Sequence, residues 1–205
     1  MRDIECVGTL AASATHDLQN TLAVIRESAG LMQDILHLAG DALPRGERMK
    51  ALLATISDQV ARGGELALCL NSLAHAWEEE NGDLGRVIDE FVVLAARGGR
   101  MRGVTLEAGE HAAVRSPLTG ISLRRALLNT VSACADAGQG YRLRLTATRF
   151  NNEVGVLFEL VCADTDGLPQ STLQAIETRP VQLLGPVGNT VRFFLPCSDV
   201  NTSAP

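Results

Sequence analysis

The chain has 205 residues, 46% hydrophobic and only 3% aromatic, so a sizeable core is available and must be built from Leu, Val, Ile and Ala. A formal net charge of -6 argues against a general nucleic-acid binder, which needs clustered Lys and Arg for phosphate contacts. The opening Met1-Arg2-Asp3-Ile4-Glu5 lacks the basic-then-apolar order of a secretory signal, and no apolar run reaches the roughly 18 residues of a membrane span, so a cytoplasmic protein that does not enter the membrane is expected.

From Ile4 to about Ala39 there is no proline, and the pattern is helical. With Ile4 as heptad position a, the a positions are Ile4, Ala11, Leu18, Ile25 and Met32. The d positions are Val7, Ala14, Thr21, Ser28 and Ile35. Leu22, Ala29 and Leu36 widen the stripe at e, and Thr21 and Ser28 are expected to weaken its middle. Gly40-Asp41-Ala42-Leu43-Pro44-Arg45-Gly46 breaks the helix. A second helical pattern follows through Met49, Leu52, Ile56, Val60, Ala67, Leu70, Ala74 and Trp77, with Gly63-Gly64 as a candidate kink. Two helices of about 30 residues are each roughly 45 Å long. A lone hairpin of that length leaves apolar surface bare, so a homodimer with a four-helix bundle is expected.

Glu78-Glu79-Glu80-Asn81-Gly82-Asp83 reads as a linker, dividing the chain into 1–78 and 83–198. The second part mixes helices and strands. Leu84 to Ala96 and Ser122 to Ala137 read as helices. Val104 to Glu107, Tyr141 to Phe150, Val154 to Ala163 and Val191 to Leu195 read as strands, with Asn151-Asn152 as a hairpin turn. The fold class is therefore α+β: a helical hairpin followed by an α/β sandwich with helices on one face of a mixed sheet. The tail from Asn201 to Pro205 is expected to fray.

Cys6, Cys69, Cys134, Cys162 and Cys197 are odd in number and far apart, which fits reduced thiols rather than a disulfide framework or zinc site. His37 and His75 read as surface residues and His111 as a loop residue, none with metal-ligand spacing. Arg97, Arg100 and Arg102, set among Gly98, Gly99 and Gly103, read as a solvated turn, with contact to an acidic partner surface as the alternative.

His16 is different. It falls at heptad f, opposite the seam, with Asp17 at g and Asn20 one turn on at c. A neutral imidazole nitrogen can attack a phosphoryl group, a carboxylate can hold the tautomer and take up the proton, and an amide can position a water or a phosphoryl oxygen. Spacing alone leaves open that His16 is only a solvated surface residue.

The stretch Thr15-His16-Asp17-Leu18-Gln19-Asn20-Thr21-Leu22-Ala23-Val24-Ile25 resembles the H-box of bacterial sensor histidine kinases. The resemblance implies that His16 is the phosphoacceptor, that Asp17 assists phosphorylation, and that Asn20 aligns a hydrolytic water. Thr21 stands where many members have proline. The order of elements from Asp83 to Pro196 is similar to the ATP-binding domain of the same family. Leu123 to Ala137 resembles its N-box helix, Val161 to Pro169 its adenine loop, and Gly188 to Pro196 its closing strand. The departures imply a degenerate ATP site. The magnesium-binding asparagine aligns with Ala133, Asn129 falls on a structural position, and the adenine loop keeps Asp164 and Gly167 but loses one glycine. Asp164 and Asp166 then read as relics. Only Gln170 to Val187 remains where the ATP lid would lie.

An acceptor bundle joined to a disarmed nucleotide domain is similar to dimeric histidine phosphotransferases of multistep phosphorelays. That implies no bound cofactor, partners among response-regulator receiver domains, and an upstream histidine kinase as a further candidate partner. Two alternatives stand beside it. One is an active kinase using ATP and magnesium. The other is a non-catalytic dimeric adaptor or inhibitor.

Overall fold

A computed structural model describes residues 2–39, 46–77, 81–137, 140–161, 181–187 and 189–197. The expected interhelix connection, the glutamate run, Cys162, the adenine-like loop with Asp164, Asp166 and Gly167, and the tail lie outside the described residues. Two long helices, α1 (Asp3–Ala39) and α2 (Gly46–His75), form a hairpin. Then come α3 (Leu84–Met101), β1 (Val104–Ala108), α4 (Gly120–Ala137), β2 (Tyr141–Phe150), β3 (Glu153–Val161), β4 (Gln182–Val187) and β5 (Thr190–Pro196). The α+β class is as read from the sequence.

The heptad seam closes within the hairpin. Ala14, Thr21, Ser28 and Ile35, all d positions, are buried. Thr21 and Ser28 thus lie inside the seam as small polar side chains. Thr21 Oγ1 satisfies itself by donating to the Asp17 carbonyl at 2.9 Å. Gly63 on α2 faces α1: a Cβ there would lie 3.4 Å from Thr21 Cγ2 and 3.5 Å from Leu18 Cδ1. Gly63 alone of the pair makes this contact, Gly64 facing open space, and α2 runs as one helix through both.

Asp83, read as linker, caps α3: its carboxylate accepts from Arg86 N at 3.1 Å. The helix then runs past Ala96 to Met101, so Arg97 and Arg100 are helical and not in a turn. Gly98 and Gly99 do not stop it, because α3 packs so closely on β1 that a Cβ on Gly99 would lie 2.8 Å from the Val104 carbonyl oxygen. The stop comes at Gly103, with a φ of 76°. α4 starts at Gly120, two residues before the expected Ser122, and Thr119 Oγ1 ahead of it accepts from Ser122 N at 3.3 Å.

The sheet order is β1-β2-β3-β5-β4, with β1 parallel to β2 and the other pairs antiparallel. Asn151 and Asn152 make the β2–β3 turn with φ of 50° and 67°, the geometry a two-residue hairpin demands. β4 was not foreseen; Gly185 and Pro186 interrupt its alternation, and its register against β5 is irregular there. Tyr141, Leu143, Leu145 and Ala147 of β2 face the core, while Arg142 and Arg144 face solvent. Helices thus cover one face of the sheet.

The lower half of the hairpin is built into this core. Cys6, Leu10, Ala14, Leu66, Cys69, Leu73 and Ala76 belong to the same buried cluster as Phe91, Leu127 and Phe158. The Ile121 amide donates to the Ala76 carbonyl at 3.0 Å, and Arg125 on α4 pairs with Asp3 on α1 at 2.8 Å. Burial pushes the thiols of Cys6, Cys69 and Cys197 up to about 11, so they act as packing groups rather than nucleophiles. No described helix is long and apolar enough to cross a membrane.

Candidate functional site

His16 lies midway along α1, where the helix leaves the core, and its side chain is exposed. Position f explains this: the buried d positions face α2, the buried g and lower c positions lie in the core, and f stays on the solvent side beside them. Asn20 is exposed one turn on, and its Nδ2 donates to His16 Nδ1 at 3.0 Å. The hydrogen bond puts the neutral ring's proton on Nε2. Turning the Asn20 amide over presents Oδ1 instead, holds the proton on Nδ1, and leaves the Nε2 lone pair free for attack.

Asp17 points elsewhere. Its side chain is only 8% exposed and lies among three arginines. Arg62 Nη2 on α2 is 3.7 Å from Oδ2, Arg100 Nη2 on α3 is 3.5 Å from Oδ2, and Arg97 Nε on α3 is 3.9 Å from Oδ1. None of the described contacts of Asp17 is with His16. The structure therefore brings His16 and Asn20 together and commits Asp17 to the junction of α1, α2 and α3.

The sequence reading missed this arginine group. A usable signal was present: Asp17 at g flanks the seam, and a carboxylate carried toward a core needs cations. Arg97 and Arg100, three residues apart, share a helix face once α3 is allowed to continue through the glycines.

The other histidines carry no comparable arrangement. His37 and His75 end their helices exposed. His111 is pinned: Nδ1 accepts from Ala147 N at 3.0 Å, and Nε2 donates to Asp89 Oδ1 at 3.1 Å. Its loop is thereby tied to α3 and β2. On α4, Ala133 is 4% exposed and Asn129 is partly buried. Among the described residues, no group of three or more His, Cys, Asp or Glu comes together to hold a metal.

No family model and no curated protein matches the chain. Solved structures do. A bacterial phosphotransferase aligns at 14% identity over 95% of this chain and 97% of its own, with a TM-score of 0.46. The catalytic domain of the histidine kinase ThkA aligns at 18% identity over 56% of this chain and 92% of its own, with a TM-score of 0.38. ThkA in complex with the response regulator protein TrrA aligns at 15% identity over 95% of this chain and 63% of that one, with a TM-score of 0.38. The functional reading rests on the residues of the site.

Proposed function

We propose that the chain is a phosphorelay histidine phosphotransferase. His16 takes a phosphoryl group from a receiver aspartate and passes it to another. The observation that carries this reading is the exposed imidazole of His16, fixed through Nδ1 by Asn20 on the outer face of a helix. In the forward step the Nε2 lone pair forms the N–P bond. The acyl phosphate P–O bond breaks, and its electron pair leaves with the receiver carboxylate. The Nδ1 proton goes to solvent. Asn20 Nδ2 can then donate to the unprotonated Nδ1 of the product across the 3.0 Å contact.

Ala133 supports a donor other than ATP. It presents a buried methyl group where the resemblance requires an oxygen ligand for magnesium. A receiver brings its own magnesium and an activated phosphoryl group, so the chain needs neither nucleotide nor metal. An upstream histidine kinase charges the first receiver.

The test compares donors. Incubation with a phosphorylated receiver is expected to label the chain with acid-labile, alkali-stable phosphate, and incubation with labelled ATP and magnesium is not. Labelling by ATP would replace this reading with the kinase, and labelling by neither would leave an adaptor.

The carrier works as a homodimer, with 1–78 as the dimerising phosphocarrier part and 83–198 as the part docked on it. The d positions are spent inside the hairpin, yet Ile4, Leu22 and Leu36 on α1 and Leu53, Val60 and Leu68 on α2 remain exposed. Such residues on two adjacent helices need a partner, and a second hairpin supplies the same pattern in return. Light scattering is expected to give twice the chain mass. A Leu22→Glu, Val60→Glu variant is expected to give one chain mass, since each charge would be buried unpaired at a cost of several kcal/mol. A monomeric wild type would rule out the bundle.

A further inference from the structure

The arginines around Asp17 outnumber what the contact needs. One carboxylate faces three guanidiniums, from Arg62, Arg97 and Arg100. A staple between helices needs one cation. Three close to each other repel, and that arrangement is favoured where a further anion joins them. The contacts are also loose. At 3.5 Å only Arg100 makes a hydrogen bond to Asp17, and the Arg62 and Arg100 side chains are 51% and 52% exposed. Each guanidinium carries five N–H donors, so most of them are not used on Asp17. Among the described residues, Asp17 is the carboxylate these three share.

The neighbouring residue on α1 is His16. A phosphoryl group on its ring brings a charge of about -1.5 to -2, which balances the two cations left over, and oxygens suited to guanidinium forks. We propose that Arg62, Arg97 and Arg100 form an anion site that holds the phosphoryl group carried by His16, with Asp17 as its counter-ion in the unphosphorylated protein. This rests on the reading of His16 as a phosphocarrier. Asp17 then acts as a competitor of the phosphoryl group for the same donors, not as the acceptor of the imidazole proton. The proposal asks Arg62 and Arg100, half exposed and each 3.5 Å or more from Asp17, to turn toward the adjacent His16, with Arg97, at 28% exposure, the most enclosed of the three.

Phosphoramidate tests this without any receiver. The Nε2 lone pair forms the N–P bond, the P–N bond of phosphoramidate breaks with its electron pair on the departing ammonia, and the Nδ1 proton goes to solvent. Label uptake and phosphohistidine half-life are measured on the full chain, with circular dichroism as a check on folding. An Arg62→Gln, Arg100→Gln variant is expected to slow uptake and shorten the half-life, each about tenfold, from the loss of two charge-assisted hydrogen bonds. The corresponding Lys pair is expected to recover part of both. Asp17→Asn is expected to do the opposite and raise uptake by roughly threefold, because it frees the donors. A purely structural group of ion pairs predicts instead that Asp17→Asn and the Gln pair fail alike. That result, or uptake within twofold of wild type in the Gln pair, overturns the assignment while the carrier reading stands. If the Gln pair does not fold, the sign of the Asp17→Asn effect decides alone. A wild type labelled by neither phosphoramidate nor a phosphorylated receiver overturns both.

Discussion

Glu90→Ala is expected to destabilise the protein by about 3–5 kcal/mol, lowering the thermal midpoint by roughly 10 °C. Glu90 on α3 pairs with Arg124 on α4, whose side chain is fully buried. Arg124 Nη2 also reaches Ser72 Oγ on α2 at 3.3 Å, and Nη1 donates to the Gly120 carbonyl at 3.3 Å. Ser72 Oγ donates to Glu90 Oε2 at 2.6 Å. Burial pulls the guanidinium below its ordinary pKa, and Glu90 works against that shift. Without Glu90 a buried cation is stranded. The reverse deletion is milder: Arg124→Ala leaves Glu90 partly exposed and still bonded to Arg86 Nη1 at 3.2 Å. Chemical denaturation should therefore rank Glu90→Ala below Arg124→Ala, and Ser72→Ala close to wild type. Midpoints within 2 °C of wild type for all three would mean that the network contributes no net stability.

This network ties the hairpin to the sheet part through three helices, and the continuous core below it does the same with apolar contacts. Little of that was legible in the sequence. Helix periodicity marked α1 and α2, and alternation marked β2, because each rule acts within one element. Contacts between the parts follow no local rule. Arg124 lies within an apolar stretch of α4, and nothing in its neighbours signals full burial. The glycines at 98 and 99 read as breakers because propensity penalises them. Tertiary packing overrides that penalty, since a side chain at 99 would collide with β1. β4 escaped for the converse reason: Gly185 and Pro186 spoil its alternation, and pairing with β5 sustains it.

The site was partly legible. Heptad arithmetic placed His16 outward and Asn20 beside it, because both statements depend only on helix geometry. The same arithmetic put Asp17 at g and so next to the seam, and its carboxylate lies there among Arg62, Arg97 and Arg100. The step from f to g turns the side chain about 100°, so Asp17 is buried toward the arginines while His16 beside it is exposed.

His16→Gln is expected to abolish label uptake from any donor, since glutamine has no basic nitrogen to form the N–P bond. Persistent transfer in that variant would show that His16 is not the carrier. Asn20 variants test how the ring is set. Attack through Nε2 requires the proton on Nδ1, and an acceptor at Asn20 favours that tautomer by about the worth of one hydrogen bond, 0.5–1.5 kcal/mol. Asn20→Ala is therefore expected to slow uptake by up to about tenfold and no more. Asn20→Asp separates the two halves of the cycle. A carboxylate accepts from Nδ1–H in every state, so uptake should rise. It also keeps a proton on Nδ1 of the phosphorylated ring, which makes the imidazole a better leaving group and shortens the phosphohistidine half-life. The amide can serve both states because it has an acceptor for the free ring and a donor for the charged one. Equal half-lives in wild type and Asn20→Asp would mean that the hydrogen bond at 3.0 Å does not govern the state of Nδ1.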